Sequence, residues 1–466
     1  MAGVRALTRA EAQPGKNRRT GSREDPSIRW WMRHQLWIPP VSAALVGACL
    51  GVFLVDSPPG VVRLLSGAAW QATASEARGM LSATLGIALT SLSIVLSLTM
   101  LVVQNAAGQY SPRLLRMYLH SPGIRVVIPV FVTTSVFCLL ATHEFGFVSG
   151  PERAPRPALA MAMLLLIACE GALVFQVLNT LQLMRVENLV RRVRHDTLGI
   201  ARTIEGFRAG DMEAPPPVRA RTAEAWPIRV QADGFIATID ASALLAVATT
   251  KRLVIHLERA IGEPVIQGEE VGWAEPDAAG PPSRREATEK FVLRAIRLDR
   301  WRDEDRDIAL GVRQLVDVAI KALSPGINDP YTAVEAVDQL TFMLCSLSRM
   351  RLGPRVLADD SGVPRVFLRG SALRDYLTLA TDQILRYGAA EPAVVLRLLR
   401  MTAAVGHRAT ASEDRRVARE LLRSILKVSE QTQQGAASHT ALRQHAEALE
   451  QALAGEPWPP LPAIGF

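Results

Sequence analysis

Four segments of about 20 mostly apolar residues, at positions 36–55, 82–103, 124–145 and 158–181, constrain this chain more than any other feature. A helix of about 20 apolar residues, rising 1.5 Å per residue, crosses the hydrocarbon core of a bilayer. Lipid offers no partner for backbone N–H and C=O groups, so apolar runs of this length are stable there only as helices. The sequence therefore predicts a multispanning membrane protein. The first segment is expected to stay in the chain. It opens on Pro39-Pro40, and Asp56-Ser57-Pro58-Pro59 follows it where a small-residue cleavage site would stand.

Orientation follows from Lys and Arg near the span ends. Lys16, Arg18, Arg19, Arg23, Arg29 and Arg33 precede the first span, Arg113 and Arg116 separate the second and third, and Arg185, Arg191, Arg192 and Arg194 follow the fourth. The other two connections set Arg63 and Arg78 against Asp56 and Glu76, and Arg153 and Arg156 against Glu144 and Glu152. Both termini are expected to be cytoplasmic. The net charge of +8 and pI near 9.7 come largely from residues beside the spans, where anionic headgroups attract them. The partner this implies is the lipid bilayer; no nucleic-acid module accompanies the charge, so no nucleic acid is expected.

The fold class expected is mainly α, with a four-helix transmembrane region and a cytoplasmic α+β region made of a small β-containing module and a helical bundle. Residues 1–35 read as a basic disordered arm, 36–184 as the transmembrane domain, 185–275 as a linker helix and β-containing module, 289–455 as the bundle, and 456–466 as a Pro-rich tail. Apolar residues at 61–69 recur at helical spacing and suggest a short amphipathic helix. After the fourth span a helix is expected over Arg185 to Phe207, ended by Pro215-Pro216-Pro217. Strand character marks the stretches beginning at Gly234, Arg252 and Pro264, with a helix over the Ala-rich residues 241–250. A Pro/Gly-rich linker at 276–282 closes this module. Beyond it, Ile308, Val312, Leu315, Val316, Ala319 and Leu323 form one apolar helix face, and Thr410 with Glu413 has capping-box spacing.

Chemistry-bearing residues are sparse. Glu170 sits near the middle of the fourth span, where an ionised carboxylate costs about 2.5–3.5 kcal/mol on insertion scales, so it is expected to face a polar cavity or a partner, or to fasten helices. Thr90, Ser93, Ser97 and Gln104 share one face of the second span, and Asn105 adds to its polarity. They read either as a water-lined path or as helix packing through hydroxyls. Ala43, Gly47 and Gly51 in the first span permit close approach of another helix. The stretch ALSPGINDPYTAVEAVDQL, from Ala322 to Leu340, reads as helix, tight loop, helix: Ser324-Pro325-Gly326 stops one helix, and Asp329 caps the next with Pro330 in its first turn. Asp317, Lys321, Ser324, Asn328, Asp329, Thr332, Glu335 and Asp338 make that region polar enough for a small anion or a hard cation, although capping alone explains much of it.

No catalytic or cofactor template is present. The eight histidines are scattered and read mostly as surface residues. Cys49, Cys138, Cys169 and Cys345 have neither disulfide nor zinc spacing, so no metal or cofactor is expected. A hydrolase built on Asp317, Asp329, Glu335 and Asp338 would need a nucleophile and a pocket as well.

Two passages carry a family resemblance: SLTMLVVQNAAGQYSPRLLRMYL (97–119) and ALSPGINDPYTA (322–333). With GFIATIDASALLAVA from Gly234 and VRQLVDVAIKAL before the second passage, they resemble the bacterial predicted membrane proteins catalogued as domain of unknown function 2254. The chain departs from that pattern at residues 260–265, where members commonly carry an Arg-Pro-Gly-Asp-like turn. The resemblance implies a bacterial inner-membrane location and brings no catalytic residues. Two functions fit: a channel-like or transporter-like protein, as a homo-oligomer, with Glu170 and the second span along the path; or a membrane-anchored sensor or scaffold whose cytoplasmic domain binds a small ligand or partner.

Overall fold

The computed structural model describes residues 38–55, 73–109, 122–147, 156–183, 185–208, 211–212, 220–277, 285–303, 306–432 and 436–462. The basic arm, the segment at 61–69, Arg113, Arg116, Pro215 to Pro217 and most of the linker at 276–282 lie outside them. The described residues fall into two compact units, one of those up to 96 and from 122 to 176, the other of those from 97 to 109 and from 177 on.

The first unit is built from α1 (Ile38–Val55), α2 (Ala74–Gln109) through Leu96, α3 (Pro122–Phe147) and most of α4 (Arg156–Leu183). All four helices are long and apolar enough to cross a membrane, as the sequence predicts. The small residues of α1 find their partner within the chain. Ala43, Gly47 and Gly51 are buried, and a Cβ on Gly47 would lie 2.5 Å from the Thr133 carbonyl oxygen of α3. Thr133 Oγ1 donates to the Ala43 carbonyl at 3.1 Å, closing the contact with a hydrogen bond that lipid could not supply. Phe137, Ala141 and Phe145 of α3 pack with Leu81 of α2 and Leu159 of α4, giving the unit its core.

The second unit takes the end of α2 and adds α5 (Val186–Gly206), then β1 (Trp226–Arg229), β2 (Gly234–Ile239), α6 (Ala241–Lys251), β3 (Leu253–Leu257), β4 (Pro264–Val265) and β5 (Glu270–Pro276). There follow α7 (Arg285–Arg294), β6 (Ile296–Asp299), α8 (Ile308–Ala322), α9 (Pro330–Leu347), β7 (Arg355–Ala358), β8 (Pro364–Leu368), α10 (Leu373–Gly388), α11 (Pro392–Arg408), α12 (Ser412–Thr432) and α13 (Ala436–Leu453). A five-stranded sheet has the order β1-β5-β3-β8-β7, antiparallel except for the β3–β8 pair, and a three-stranded sheet has the order β4-β2-β6. Every residue of β3 is buried, as suits a central strand covered on both faces. Leu253, Ile255 and Leu257 point into one core; His256, on the other face, stacks between Trp273 and Phe367 at 3.7 and 4.2 Å.

Two expectations change here. Strands are not confined to residues before 276: β6 pairs with β2, and the β7–β8 hairpin, in a stretch expected to be helical, supplies the parallel neighbour of β3. The hairpin turns at Gly362, whose φ of +78° a side-chain-bearing residue would adopt only with strain. Nor is α5 a linker. Its Leu189, Val190, Val193, Leu198 and Ala201 belong to the helical core with Val312, Leu315 and Val316 of α8 and Val337, Leu340 and Leu344 of α9. A smaller difference is local. Glu413 pairs with Arg416 within a helix starting at Ser412 instead of closing a box with Thr410, while the burial of His256 and His445 leaves the expectation that most histidines lie at the surface unchanged.

One buried ionic knot fixes the far end of α5. Arg208 Nε donates to Asp211 Oδ2 at 2.9 Å, and Arg355 Nη2, from β7, donates to Asp211 Oδ1 at 2.9 Å and to the Phe207 carbonyl at 2.9 Å. Arg208 Nη2 reaches the Pro354 carbonyl at 2.8 Å. Helix and sheet are thereby joined by charge-assisted bonds at a largely buried place.

Candidate anion-binding site

The residues singled out within the spans point outward in the single chain. On α2, Leu81, Thr84, Ala88, Ser91 and Val95 are buried, while Thr90, Ser93, Ser97 and Gln104 are exposed on the other side. Thr90 Oγ1 donates to its own helix at Gly86 O, 2.8 Å away, which is the usual way a span threonine satisfies its hydroxyl. The side chain of Asn105 lies outside the described residues. Glu170 is exposed on α4 and is not drawn into a cavity among the four helices.

The loop at 324–332 is a helix junction. Ser324 Oγ donates to Lys321 O at 2.6 Å, Asn328 N to Ser324 O at 2.9 Å, and Asp329 N to Ala322 O at 2.8 Å, so the last carbonyls of α8 are satisfied. The left-handed residue that makes the turn is Asn328, with φ of +50°, and not Gly326; asparagine tolerates that region better than most side chains. Both Asp329 oxygens are engaged with Thr332, Oδ1 by its N–H at 3.1 Å and Oδ2 by its hydroxyl at 2.6 Å. Asp317 pairs with Arg313 at 3.6 Å, and Glu335 accepts from Gln339 at 2.9 Å. The four carboxylates considered together in the sequence thus serve separate partners. Among the described residues no group of three His, Cys, Asp or Glu could hold a metal ion.

Asp338 is the exception, because it opens onto a different place. One face each of α5, α9 and α11, with Trp458 from the C-terminal tail, encloses a cleft of about 710 Å³. Helical spacing builds each wall: Arg194, Leu198 and Arg202 on α5; Asp338, Thr341, Phe342 and Cys345 on α9; Arg397, Arg400, Ala404 and Arg408 on α11. The cleft therefore gathers five guanidinium groups and one carboxylate, with His195 and His407 beside them. Guanidinium groups on a low-dielectric wall concentrate positive potential, and their forked donors match phosphate and carboxylate oxygens.

Among the described residues, one of these donors is left without a protein acceptor. Arg397 Nε is shielded from solvent and has no hydrogen-bond partner among the described residues; its ion pair with Asp338 Oδ1 spans 3.7 Å, too long for a hydrogen bond. Arg400 is held in place from behind, its Nη1 3.0 Å from His445 Nε2 and donating to Pro459 O at 3.1 Å. Burial, with the Arg400 charge nearby, brings His445 down to about 4, so it stays neutral and leaves Arg400 as the cation. The Arg194 guanidinium lies 5.3 Å from the Phe342 ring centre, and that of Arg400 5.5 Å from the Trp458 ring centre.

Burial raises the Asp338 carboxyl above the usual aspartate range, although Arg397 opposes the shift. The stability that Asp338 contributes is then fully present below the ordinary aspartate value and lost as pH rises through its raised value. The Asp338→Asn variant is therefore expected to be at least as stable as the wild type at neutral pH and to bind sulfate several-fold more tightly. Sulfate titrations of both proteins between about pH 4 and 7 check this. Wild-type affinity should converge on that of the variant as the pH falls and the carboxylate is protonated; parallel curves would contradict it.

Comparison with known proteins agrees with this membrane architecture. An uncharacterized protein of Mycobacterium tuberculosis and one of Mycobacterium bovis are each 29% identical to the chain over 378 residues, covering 80% of it and 72% of the relative. No solved structure matches. The profile of the family described as "Predicted membrane protein (DUF2254)" matches residues 33–404, and the chain belongs to that family.

Proposed function

We propose that the protein is a membrane-anchored receptor for a small, multiply charged anion, bound in the arginine cleft of the cytoplasmic region. The observation that carries this reading is the gathering of five guanidinium groups around a single carboxylate, with Arg397 Nε buried and, among the described residues, without a hydrogen-bond partner. A buried donor without a partner costs about 1–3 kcal/mol, more for a charged group, and an oxyanion removes that cost. The cytoplasmic side follows from the Lys and Arg excess beside the spans. The test is equilibrium binding of inorganic pyrophosphate to the purified full-length protein. Saturable binding that Arg397→Gln weakens at least about tenfold, one charge-assisted bond at 1.4 kcal/mol per decade, supports the receptor; absence of binding removes it.

A second reading, a conduction path, rests on the outward placement of Thr90, Ser93, Ser97, Gln104 and Glu170. Such a path would form between copies of the chain, whose contact would also shelter Glu170 from lipid. It predicts ion flux through proteoliposomes that Glu170→Gln and Ser97→Leu alter while the protein remains folded. Flux that neither substitution changes, or no flux at all, rejects the path.

A further inference from the structure

The cleft is larger and more aromatic than a bare oxyanion requires. Its volume of about 710 Å³ would hold some twenty waters at about 30 Å³ each, and it lies in the range of pockets for whole organic ligands rather than ions. Trp458 is 37% exposed and Phe342 52% exposed, in a chain with only 5% aromatic residues. Each ring has a guanidinium near it, and His407 lies 5.8 Å from Trp458 at a 55° tilt. In each case the guanidinium lies over the ring, so π surface and positive charge stand together in the cleft. Asp338 is the other unexplained feature. A carboxylate facing an anion site repels the anion, yet it is a good acceptor for sugar hydroxyls or ring amino groups.

From the juxtaposition of arginines, aromatic rings and a lone carboxylate, we infer that the ligand is a nucleoside phosphate with at least two phosphoryl groups. The inference rests on the anion-receptor reading above and adds the organic half of the ligand. Arg397 and Arg400 take the phosphoryl oxygens, the base lies against Trp458, and Asp338 accepts from the sugar or the base. Nothing is transferred or cleaved: the site binds.

The experiment compares ADP, GDP, inorganic pyrophosphate and dioctanoyl phosphatidylglycerol as ligands of the full-length protein in detergent, measured by isothermal titration. ADP or GDP is expected to bind at least about tenfold more tightly than pyrophosphate, the factor that one base–aromatic stack provides. Trp458→Ala should cut nucleotide affinity about tenfold and pyrophosphate affinity less than about threefold, while Trp458→Phe keeps most of the nucleotide preference. Equal affinity for nucleotide and pyrophosphate overturns the inference and leaves the anion receptor standing, and so does equal loss of both in Trp458→Ala. Tighter binding of the short-chain lipid also overturns it and assigns the phosphate to a headgroup. Failure of pyrophosphate to bind overturns the receptor reading itself, and with it this inference. Trp458 stands on the exposed tail, so its replacement leaves the helical core intact.

Discussion

Charge reversal at Arg397 abolishes pyrophosphate binding, with an expected loss of at least about 100-fold. One charge-assisted hydrogen bond is worth about 1.5–3 kcal/mol, and the introduced carboxylate adds repulsion beside Asp338. At about 1.4 kcal/mol per decade, the two effects together exceed two decades. Because Arg397→Glu also leaves two carboxylates facing each other, Arg397→Gln serves as the milder companion, with an expected loss of about tenfold. Arg416→Glu is the matching control. That arginine lies on α12, exposed and paired with Glu413 and Glu420, and does not line the cleft. Titration of the three variants checks the assignment. Equal affinity in Arg397→Glu and Arg416→Glu would mean that charge in the cleft does not hold the ligand.

Removing the Asp211 carboxylate should destabilise the protein by about 3–5 kcal/mol, because it leaves two guanidinium groups, Arg208 and Arg355, without their common counter-charge. Arg208 and Asp211 are buried, and burial already drives the Arg208 value down despite the Asp211 bond. The same knot holds the end of α5 against β7, and α5 forms one wall of the cleft. Asp211→Ala is therefore expected to lower the thermal transition of the second unit by several degrees and to weaken pyrophosphate binding at temperatures where that unit remains folded. Urea titration followed by circular dichroism reads the stability. A change below about 1 kcal/mol, typical of an exposed pair, would show that the knot contributes no more than a surface salt bridge.

Local signals made much of the fold legible. The four spans follow from length and hydropathy alone, and the junction at 324–330 follows from Pro325, Asp329 and Pro330, since capping is decided by neighbours in sequence. The partner of Ala43, Gly47 and Gly51 could not be named in advance, because a small-residue stripe allows close approach without specifying to what. Strands β7 and β8 escaped notice because each is four or five residues long, and β8 gains its place only by pairing with β3, more than a hundred residues earlier.

The cleft was the least legible feature, since each of its walls reads alone as the exposed face of an amphipathic helix. Only packing of α5 and α11 on either side of α9 brings their arginines together. A faint signal was present nonetheless. Arg194, Arg397, Arg400 and Arg408 have no acidic residue three or four positions away on their own helices, unlike Arg416 with Glu413 and Glu420. Helical arginines on a solvated face commonly carry such partners. The intramembrane polar residues taught the converse. Thr90, Ser93 and Ser97 do share a face, as their spacing requires, but spacing does not say whether that face turns inward, and here it turns out.

The most direct test of the anion cleft is isothermal titration of inorganic pyrophosphate into the full-length protein at about 0.01 M and about 1 M ionic strength, where the Debye length falls from about 30 to about 3 Å. The cleft predicts one binding site per chain, with affinity that drops steeply at high salt and is lost in Arg397→Glu. Absence of saturable binding at low salt, or binding that neither salt nor Arg397→Glu weakens, would contradict it.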